Sequence, residues 1–346
     1  MYDRLADLPL TVEDVSFERH EAATSGDFTR VSTVFALAGD GETGRGEDVT
    51  YDAEDHDSLH ADPPSLPTGE YTLETYSAAL DDVELFPEGP KRPTSRHYRR
   101  WAAESAMLDL ALRQAETSLA DALGRSYDPV RFVVSMGLGE TPTADPVRRW
   151  LDVDPELEFK LDPTSAWDEP LVSELAALDR VRTLDFKAHY EDADVRQEPD
   201  PDLYRMIAEG FPDAVLEDPA WTDETRPALA GAEERLSWDK PIESLADVHD
   251  LPFEPTWLNV KPSRFGTVAS LLETVDYCLD EGIRLYGGGQ FELAVGRQHV
   301  QALASLFYPD APNDVAPSGY NVAEPEPDLP SSPLDPPSDP RGLAWE

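Results

Sequence analysis

The spacing of hydrophobic and polar residues changes near residue 125 and divides the chain into two parts. Before that point, strand-like stretches at 29–37 and 49–51 flank a glycine-rich turn. A helix is predicted over 97–123, with Gly124 in the position that a C-cap prefers. Its apolar residues recur at largely helical spacing: Trp101, Met107, Leu108, Ala111, Leu112 and Leu119. Residues 1–125 are therefore predicted to form an α+β domain.

From Pro129 onward the pattern alternates between strands and helices. A continuous apolar run over 130–136 is typical of a strand buried on both faces. Further strands are predicted to end near Leu161, Phe186, Leu216, Trp238, Val260 and Leu285, with helices at 171–178, 203–209, 224–234, 242–248, 267–280 and 299–307. About seven βα units favour a closed (β/α) barrel over an open sheet. We assign this α/β barrel to residues 126–322.

The remaining residues, 323–346, are rich in proline and cannot form regular secondary structure. We expect them to run extended over the surface, with the apolar end at 343–345 docked against the folded part. A length of 346 residues is consistent with two domains and such a tail.

The charge of the chain excludes several classes of partner. There are 71 Asp and Glu residues against 28 Lys and Arg, a formal net charge of −43. Such a surface repels nucleic acid, whose binding depends on cations that neutralise phosphates, and it repels anionic lipid for the same reason. No apolar run is long enough for a membrane span, and the acidic N-terminus does not resemble a signal peptide. We therefore expect a cytoplasmic protein that binds neither nucleic acid nor membrane.

The acidic excess also suggests adaptation to high salt, where screening weakens self-repulsion. We hypothesise a salt-accumulating microbe as the source, and equal stability of the fold without added salt would refute this.

The single cysteine, Cys278, excludes a disulfide framework and a cysteine-based zinc site.

Lysine is rare in this chain, so the position of each lysine is informative. Five of the 28 basic residues are lysines: Lys91, Lys160, Lys187, Lys240 and Lys261. Lysine differs from arginine in having a pKa that shifts readily on burial, which suits proton transfer. Clustered lysines in this chain are therefore candidate catalytic residues.

Charged residues end five successive predicted strands, where a parallel barrel carries its functional groups. These ends are Phe159-Lys160-Leu161-Asp162, Leu184-Asp185-Phe186-Lys187, Leu216-Glu217-Asp218-Pro219, Ser237-Trp238-Asp239-Lys240 and Asn259-Val260-Lys261-Pro262. Asp185, Glu217 and Asp239 are each about one βα unit apart, so their carboxylates are expected in one mouth. Three oxygen ligands with room for water suit Mg²⁺. The alternative is that these acids only reflect the acidic composition of the chain.

The order of these motifs resembles the enolase superfamily, in its muconate cycloisomerase and o-succinylbenzoate synthase-like branch (the mandelate racemase/muconate lactonizing enzyme family). Beyond the five strand ends, the similarity includes Gly287-Gly288-Gly289-Gln290-Phe291-Glu292 on the seventh strand and residues 104–112 in the first long cap helix. The resemblance implies a (β/α)7β TIM-type barrel with an N-terminal α+β capping domain. It implies Asp185, Glu217 and Asp239 as Mg²⁺ ligands, Lys261 as the sixth-strand lysine and Lys160 as the first lysine of Lys-x-Lys.

The implied chemistry is removal of the proton alpha to a carboxylate, with Mg²⁺ stabilising the enediolate. The lysine base needs a pKa lowered toward neutrality, which neighbouring cations such as Lys160 and Lys187 are expected to provide. One departure stands out, because Asp162 replaces the second lysine of Lys-x-Lys. Lys187 can supply the missing ammonium, or Asp162 can itself be a base or a further acidic group near the metal. The departure favours a lyase, dehydratase or isomerase that uses Lys261 as its only base.

Two other interpretations stay open. The chain can be a non-catalytic relative that binds metal or acid and kept the fold, or another barrel enzyme, such as a phosphate-ester aldolase that uses the glycines at 287–289 to bind phosphate. The substrate is expected to be a small carboxylate, selected by cap loops within 15–25 and 39–55 and by the seventh and eighth strands. Barrels of this kind often self-associate, so a homo-oligomer is compatible with the sequence.

Overall fold

An antiparallel sheet covered by a long helix forms the N-terminal part of the chain. The structure is a computed structural model that describes residues 1–23, 29–190, 195–322, 325 and 327–345. Strands β2 (Asp14–Ala23), β3 (Thr29–Gly39) and β4 (Glu42–Asp48) pair in that order, and β1 (Pro9–Val12) pairs with β5 (Gly69–Thr72). The helices here are α1 (Ala53–Ala61), α2 (Leu73–Leu80), α3 (Ser95–Gln114) and α4 (Leu119–Leu123), preceded by a 3-10 turn at Tyr2–Arg4.

Two predictions for this domain are wrong in detail. No strand occurs at 49–51, because the strand, β4, ends at Asp48, and Gly44 and Gly46 lie inside it rather than in a turn. Both glycines let α3 lie directly on the strand, because a Cβ at either position would clash with the helix backbone. The single helix predicted over 97–123 is α3 followed by α4, since Glu116 adopts a φ of 51° that interrupts the helix. Gly124 caps α4 with a φ of 66°, as predicted.

A single parallel sheet forms the second domain. Its seven strands follow chain order: β6 (Val134–Gly137), β7 (Phe159–Asp162), β8 (Val181–Asp185), β9 (Val215–Glu217), β10 (Leu236–Trp238), β11 (Trp257–Val260) and β12 (Arg284–Gly287). Asn313 and Asp314 form single parallel bridges to Phe132 on one side and Gly288 on the other. This short segment therefore takes the eighth position in the barrel, and the (β/α)7β fold class is confirmed.

Helices follow the strands, as the alternating pattern predicts. They are α5 (Asp145–Val153), α6 (Glu169–Ala177), α7 (Pro201–Gly210), α8 (Leu245–His249), α9 (Pro262–Phe265), α10 (Val268–Glu281) and α11 (Val295–Phe307), with a 3-10 turn at Ser318–Tyr320. The helix predicted over 224–234 is wrong, because only two 3-10 turns occur there, at Arg226–Ala228 and Glu233–Arg235. Pro227 and Gly231 disfavour a continuous helix at this place. Within the described residues, no helix is both long enough and apolar enough to cross a membrane.

The strands β7 to β11 alternate between apolar and polar side chains, and this places the polar groups inside the barrel. In β7, for example, Phe159 and Leu161 belong to the hydrophobic core, whereas Lys160 is hydrogen-bonded to Glu217 of β9. Because alternate residues of a strand point to opposite faces, the same register continues to Asp162. The barrel interior is thus polar near its carboxyl end.

Carboxylates of the N-terminal domain cap two helices of the barrel. Glu47 of β4 accepts hydrogen bonds from the backbone N–H groups of Leu293, Ala294 and Gly296 at the start of α11. Glu104 of α3 accepts one from the N–H of Val268 at the start of α10. A negative charge is favourable at a helix N-terminus. The two domains therefore share an interface with specific polar contacts.

The C-terminal tail connects the same two domains. Leu334 exchanges two backbone hydrogen bonds with Val130 at the amino end of the barrel. Further along, Gly342 pairs with the segment that begins α4, and the backbone N–H of Leu343 donates to Asp109 of α3. Leu343 is fully buried. The described residues of the tail thus run from the amino end of the barrel to the cap domain.

His299 of α11 makes the stability of the fold dependent on pH. The side chain is fully buried, and neither ring nitrogen has a hydrogen-bond partner among the described residues. Burial lowers the pKa of His299 from 6.5 to about 4. As the pH falls from 6.5 toward 4, the unfolded chain therefore takes up a proton that the folded chain excludes, and stability decreases by on the order of 3 kcal/mol.

The variant His299→Leu is expected to unfold with a weaker pH dependence in this range, as urea titrations at pH 7, 5.5 and 4.5 would show. His249→Leu, at an exposed position, is the matched control. An unchanged pH dependence in His299→Leu would contradict the assignment.

Candidate active site

Charged residues from successive strands meet at the carboxyl end of the barrel. The ammonium of Lys160 (β7) lies 2.6 Å from Glu217 Oε1 (β9) and 3.3 Å from Asp185 Oδ2 (β8). The other oxygen of Glu217 accepts a hydrogen bond of 2.6 Å from the Tyr286 hydroxyl. All four side chains are almost completely buried. The ends of these strands therefore lie together, as predicted.

Asp239 forms the second part of this cluster, with Lys261. Its Oδ2 lies 3.0 Å from Lys261 Nζ. The guanidinium of Arg264 donates to both oxygens, at 2.8 and 3.1 Å, and the Tyr190 hydroxyl lies 3.4 Å from Oδ2. Asp239 and Arg264 are buried, and Lys261 is 7% exposed. A carboxylate, an ammonium and a guanidinium thus form one buried ionic group.

Lys187 lies between Asp162 and Asp185. Its Nζ is 3.3 Å from Asp162 Oδ2 and 3.3 Å from Asp185 Oδ2. Lys187 has a φ of 51°, which non-glycine residues seldom adopt. Lys187, two residues beyond the end of β8, therefore places its ammonium beside Asp162, which replaces the second lysine of Lys-x-Lys. Asp162 and Lys261 come from the second and sixth of eight barrel positions, so they stand on opposite walls.

Several neighbouring residues have structural contacts instead. Asp218 accepts backbone hydrogen bonds from Asp239 and Lys240, which fixes the end of β10. Lys240 points to Glu243, at 3.8 Å, and His189 contacts the carbonyl of Pro219. Lys91, the fifth lysine, contacts Asp55 through its backbone N–H.

Four further members of the cluster were not predicted from the sequence: Arg264, Tyr286, Asn259 and Tyr190. Arg264 and Asn259 flank Lys261 in the motif Asn-Val-Lys-Pro-Ser-Arg, and their proximity in the chain was an available signal. Tyr286 was not recognisable, because a tyrosine in a strand is normally a core residue.

The electrostatic environment differs from the one expected for a lysine base. Burial lowers the pKa of Lys261, but the adjacent Asp239 outweighs it, and the pKa is raised above its ordinary value. The expected lowering by neighbouring cations is therefore wrong for this conformation, because the attraction of Asp239 outweighs the effect of Arg264 and Lys160 on the pKa of Lys261. Burial raises the pKa of Glu217 to about 7, helped by Asp185 and Asp239, and that of Asp162 to about 6.

The acidic groups match a divalent cation in chemistry and in charge. Six carboxylates line this region (Asp162, Asp185, Glu217, Asp218, Asp239 and Asp314) against the cations Lys160, Lys187, Lys261 and Arg264. The carboxylates outnumber the cations by two, and burial raises the pKa of Asp218 well above its ordinary value. Asp162 Oδ1 and Asn259 Oδ1 are buried oxygens without a hydrogen-bond donor among the described residues. Oxygen donors with an unbalanced negative charge suit Mg²⁺.

The same groups are not arranged around a metal position. Across residues 1–23, 29–190, 195–322 and the described tail, no three acidic or histidine side chains converge as metal ligands would. Lys160 accounts for this at Asp185 and Glu217, since its ammonium stands between them, and Arg264 occupies both oxygens of Asp239. The donor set thus fits the metal, while lysine and arginine contact the oxygens of Asp185, Glu217 and Asp239 in this conformation.

The glycine run at the end of β12 packs closely against Lys261. A Cβ on Gly288 would lie 2.7 Å from Lys261 Cε and 2.8 Å from Asn259 Oδ1. Glycine at this position therefore leaves room for the lysine side chain. This packing gives no support to a phosphate-binding role for residues 287–289.

The cap domain reaches the barrel mouth through Tyr51, which lies within the predicted segment 39–55. Residues 15–23 lie within β2, and the remainder of the segment predicted at 15–25 lies outside the described residues. The segment 39–55 is mostly β4 and the start of α1. Tyr51, between these elements, contacts the barrel mouth, where its hydroxyl donates to Gln290 Oε1 at 2.7 Å, and Arg30 of β3 donates to the Gln290 carbonyl at 3.0 Å.

The chain matches known proteins along nearly its whole length. Residues 126–322 match the C-terminal domain, and residues 3–122 the N-terminal domain, of a family described as a domain of unknown function (DUF8230). An o-succinylbenzoate synthase of Listeria innocua is 24% identical over 283 residues, which cover 75% of this chain and 74% of the synthase. An N-succinylamino acid racemase of an Amycolatopsis species is 32% identical over 231 residues, 63% of this chain and 60% of the racemase.

Solved structures show the same architecture. The muconate lactonizing enzyme of Pseudomonas putida superposes with a TM-score of 0.69 at 18% identity, and 96% of each chain is covered. A Listeria innocua protein described as a member of the enolase superfamily superposes with a TM-score of 0.64 at 18% identity, covering 89% of this chain and 86% of that one.

Proposed function

Since this chain belongs to the DUF8230 family and has the enolase-superfamily fold, we propose that it removes the α-proton of a small carboxylate, as the first step of a lyase or isomerase reaction. The resemblance inferred from the strand-end motifs is confirmed by the matches. The names of the relatives are those of enzymes, which supports an enzyme here as well.

The proposal rests chiefly on one observation, the burial of Lys261 in an ionic cluster with carboxylates from three consecutive strands. A buried lysine is costly unless it is paired or used. Lys261 is one of only five lysines in the chain, and three of the five lie in this cluster. Such a concentration of perturbed groups is typical of an active site.

Asp185, Glu217 and Asp239 are the residues that would hold Mg²⁺, which supplies positive charge to stabilise an enediolate. Lys261 would accept the α-proton on Nζ. The ammonium that results lies 3.0 Å from Asp239, which stabilises it. Arg264 binds both oxygens of Asp239 and so weakens the field of that carboxylate on Lys261 before proton transfer.

Lys160 and Lys187 would serve as electrostatic partners of the substrate carboxylate. Both ammonium groups lie 3.3 Å from the same oxygen, Asp185 Oδ2, so they are close to each other and to the proposed metal ligands. Asp162 would hold Lys187 in this position through its Oδ2.

We also propose that the protein is cytoplasmic, that it self-associates and that it is adapted to high salt.

A non-catalytic relative is the second candidate. It is favoured by the replacement of a lysine by Asp162 and by the internal neutralisation of the carboxylates. Such a protein would bind a metal or an acid without turnover.

Incubation of the protein in D₂O with Mg²⁺ and a set of small carboxylates, including N-succinylamino acids, distinguishes the two candidates. We expect at least one carboxylate to exchange its α-proton for deuterium, as followed by proton NMR. Exchange should stop when EDTA removes the metal, because the enediolate then loses its counter-charge. Binding of Mg²⁺ by calorimetry without exchange of any carboxylate would favour the non-catalytic relative.

A further inference from the structure

Tyr286 is a fully buried tyrosine whose hydroxyl lies inside the barrel. Its strand, β12, takes the seventh of the eight barrel positions, whereas Glu217 belongs to β9, the fourth. The Tyr286 hydroxyl nevertheless lies 2.6 Å from Glu217 Oε2. Because β9 and β12 are not neighbours in the sheet, the two side chains meet across the interior of the barrel, which the length of a tyrosine makes possible.

The Tyr286 hydroxyl donates its proton to Glu217. An ionised carboxylate can only accept hydrogen bonds, so the tyrosine is the donor in this contact. Ser237 Oγ of β10, also fully buried, lies 2.9 Å from the same hydroxyl. Since Tyr286 has a single proton and gives it to Glu217, Ser237 must be the donor to Tyr286. The three groups thus form a directed chain from Ser237 through Tyr286 to Glu217, in which each hydrogen bond strengthens the next.

A hydroxyl at this buried position contributes only through its hydrogen bonds. Transfer of a hydroxyl from water to a protein interior costs free energy unless a partner satisfies it, and phenylalanine would fill nearly the same space without that cost. The hydroxyl adds no charge to the cluster, in contrast to the ammonium of Lys160, which contacts the other oxygen of Glu217 at 2.6 Å. What Tyr286 supplies to Glu217 is therefore a fixed orientation rather than a counter-charge.

The other two proposed metal ligands are also held by donors. Asp185 Oδ1 accepts a hydrogen bond of 3.0 Å from the backbone N–H of Lys187, and Arg264 donates to both oxygens of Asp239. Glu217 has one more rotatable bond than an aspartate, so its carboxylate has more orientations to lose when it binds a metal. A donor that restricts this side chain beforehand reduces that loss and so favours binding.

We propose that Tyr286 is a positioning residue for the metal site, where its hydroxyl holds Glu217 Oε2 from inside the barrel and so orients the carboxylate for Mg²⁺. Ser237 supports Tyr286 in this role through the hydrogen bond that it donates. The inference rests on the proposed function, because that proposal makes Glu217 a metal ligand. Groups that fix metal ligands in this way usually contribute about ten- to a hundredfold to metal affinity.

Tyr286→Phe, which removes the hydroxyl and keeps the ring, is expected to weaken Mg²⁺ binding about tenfold, as measured by calorimetry at pH 8. The rate of α-proton exchange at saturating Mg²⁺ should stay within about twofold of the wild type, because only the metal affinity is changed. Ser237→Ala, which removes only the donor to Tyr286, should weaken Mg²⁺ binding less, by about threefold. Tyr76→Phe in α2 is the matched control, because Tyr76 is equally buried and its hydroxyl has no hydrogen-bond partner among the described residues.

Melting temperatures in EDTA check that the variants keep the fold, and Ser237→Ala carries the test if Tyr286→Phe does not fold. Equal Mg²⁺ affinities of Tyr286→Phe and Tyr76→Phe would overturn the inference alone. Unchanged affinity with a loss of exchange at saturating Mg²⁺ would also overturn it, because the hydroxyl would then act on the substrate. A wild type that does not bind Mg²⁺ counts against the proposed function, and the inference fails with it. A wild type that binds Mg²⁺ without exchange favours the non-catalytic relative, while the affinities of the variants still decide the role of Tyr286.

Discussion

Replacing Lys261 with alanine is expected to reduce α-proton exchange by about 10²- to 10⁴-fold, the contribution typical of a general base. The substrate is the carboxylate that exchanges fastest with the wild type, and the rate is measured by NMR in D₂O with Mg²⁺. Lys261→Arg should lose as much activity, although the positive charge beside Asp239 is kept, because arginine does not give up its proton. This second variant separates a base from a residue that supplies only charge.

Lys240→Ala is the matched control, because Lys240 follows Asp239 directly but pairs with Glu243 away from the cluster. Its exchange rate should stay within about twofold of the wild type, since surface charges contribute little. If Lys261→Ala exchanges as fast as Lys240→Ala, then Lys261 is not the base. If Lys261→Arg retains the rate, the role of Lys261 is electrostatic.

Replacing Asp239 with asparagine is expected to reduce the free energy of unfolding of the metal-free protein by about 3–5 kcal/mol, the usual cost of removing one partner of a buried ion pair. Burial alone would raise the pKa of Asp239, but Arg264 and Lys261 lower it well below its ordinary range, which shows how strongly the pairing favours the carboxylate. The variant leaves both cations buried without that counter-charge. Urea unfolding at pH 7 in the presence of EDTA measures the effect.

Asp280→Asn, at an exposed position of α10, provides the comparison and should change stability by less than about 0.5 kcal/mol. The double variant Asp239→Asn with Arg264→Met should recover part of the lost stability, because one of the stranded cations is removed. Equal stability of Asp239→Asn and Asp280→Asn would show that the cluster does not depend on Asp239.

The strand ends of the barrel were predictable from the sequence, because each of these buried strands is a short apolar run that is followed by charged residues. Successive βα units place four charged residues at these strand ends, and the structure brings them together: Asp185, Glu217, Asp239 and Lys261. Regular spacing carries this information, since each unit adds one strand to the same sheet.

The pairing of these charges was not predictable from spacing alone. Lys160 stands between Asp185 and Glu217, and Arg264 rather than a second lysine neutralises Asp239. Such contacts depend on side-chain rotamers and on which oppositely charged group lies nearest, which a linear pattern does not contain. The raised pKa of Lys261 follows from one distance of 3.0 Å to Asp239.

The cap domain was harder to predict for a different reason. Its strand β2 is largely exposed and charged, and the alternation of apolar residues that marks a half-buried strand is limited to Val15 and Phe17. Gly44 and Gly46 suggested a turn, yet they are in β4 because α3 lies too close for any side chain. Tertiary contacts thus overrode the local preferences of these residues.

The carboxylates of Glu47 and Glu104 couple the folding and unfolding of the barrel to those of the N-terminal domain. Each belongs to the N-terminal domain but completes a helix of the barrel. A fragment made of the barrel alone would begin two of its outer helices without these carboxylate acceptors, and it would also lose the tail's attachment at Leu343. The halves recognised along the chain are therefore not autonomous folding units, and they should assemble and melt in one cooperative step.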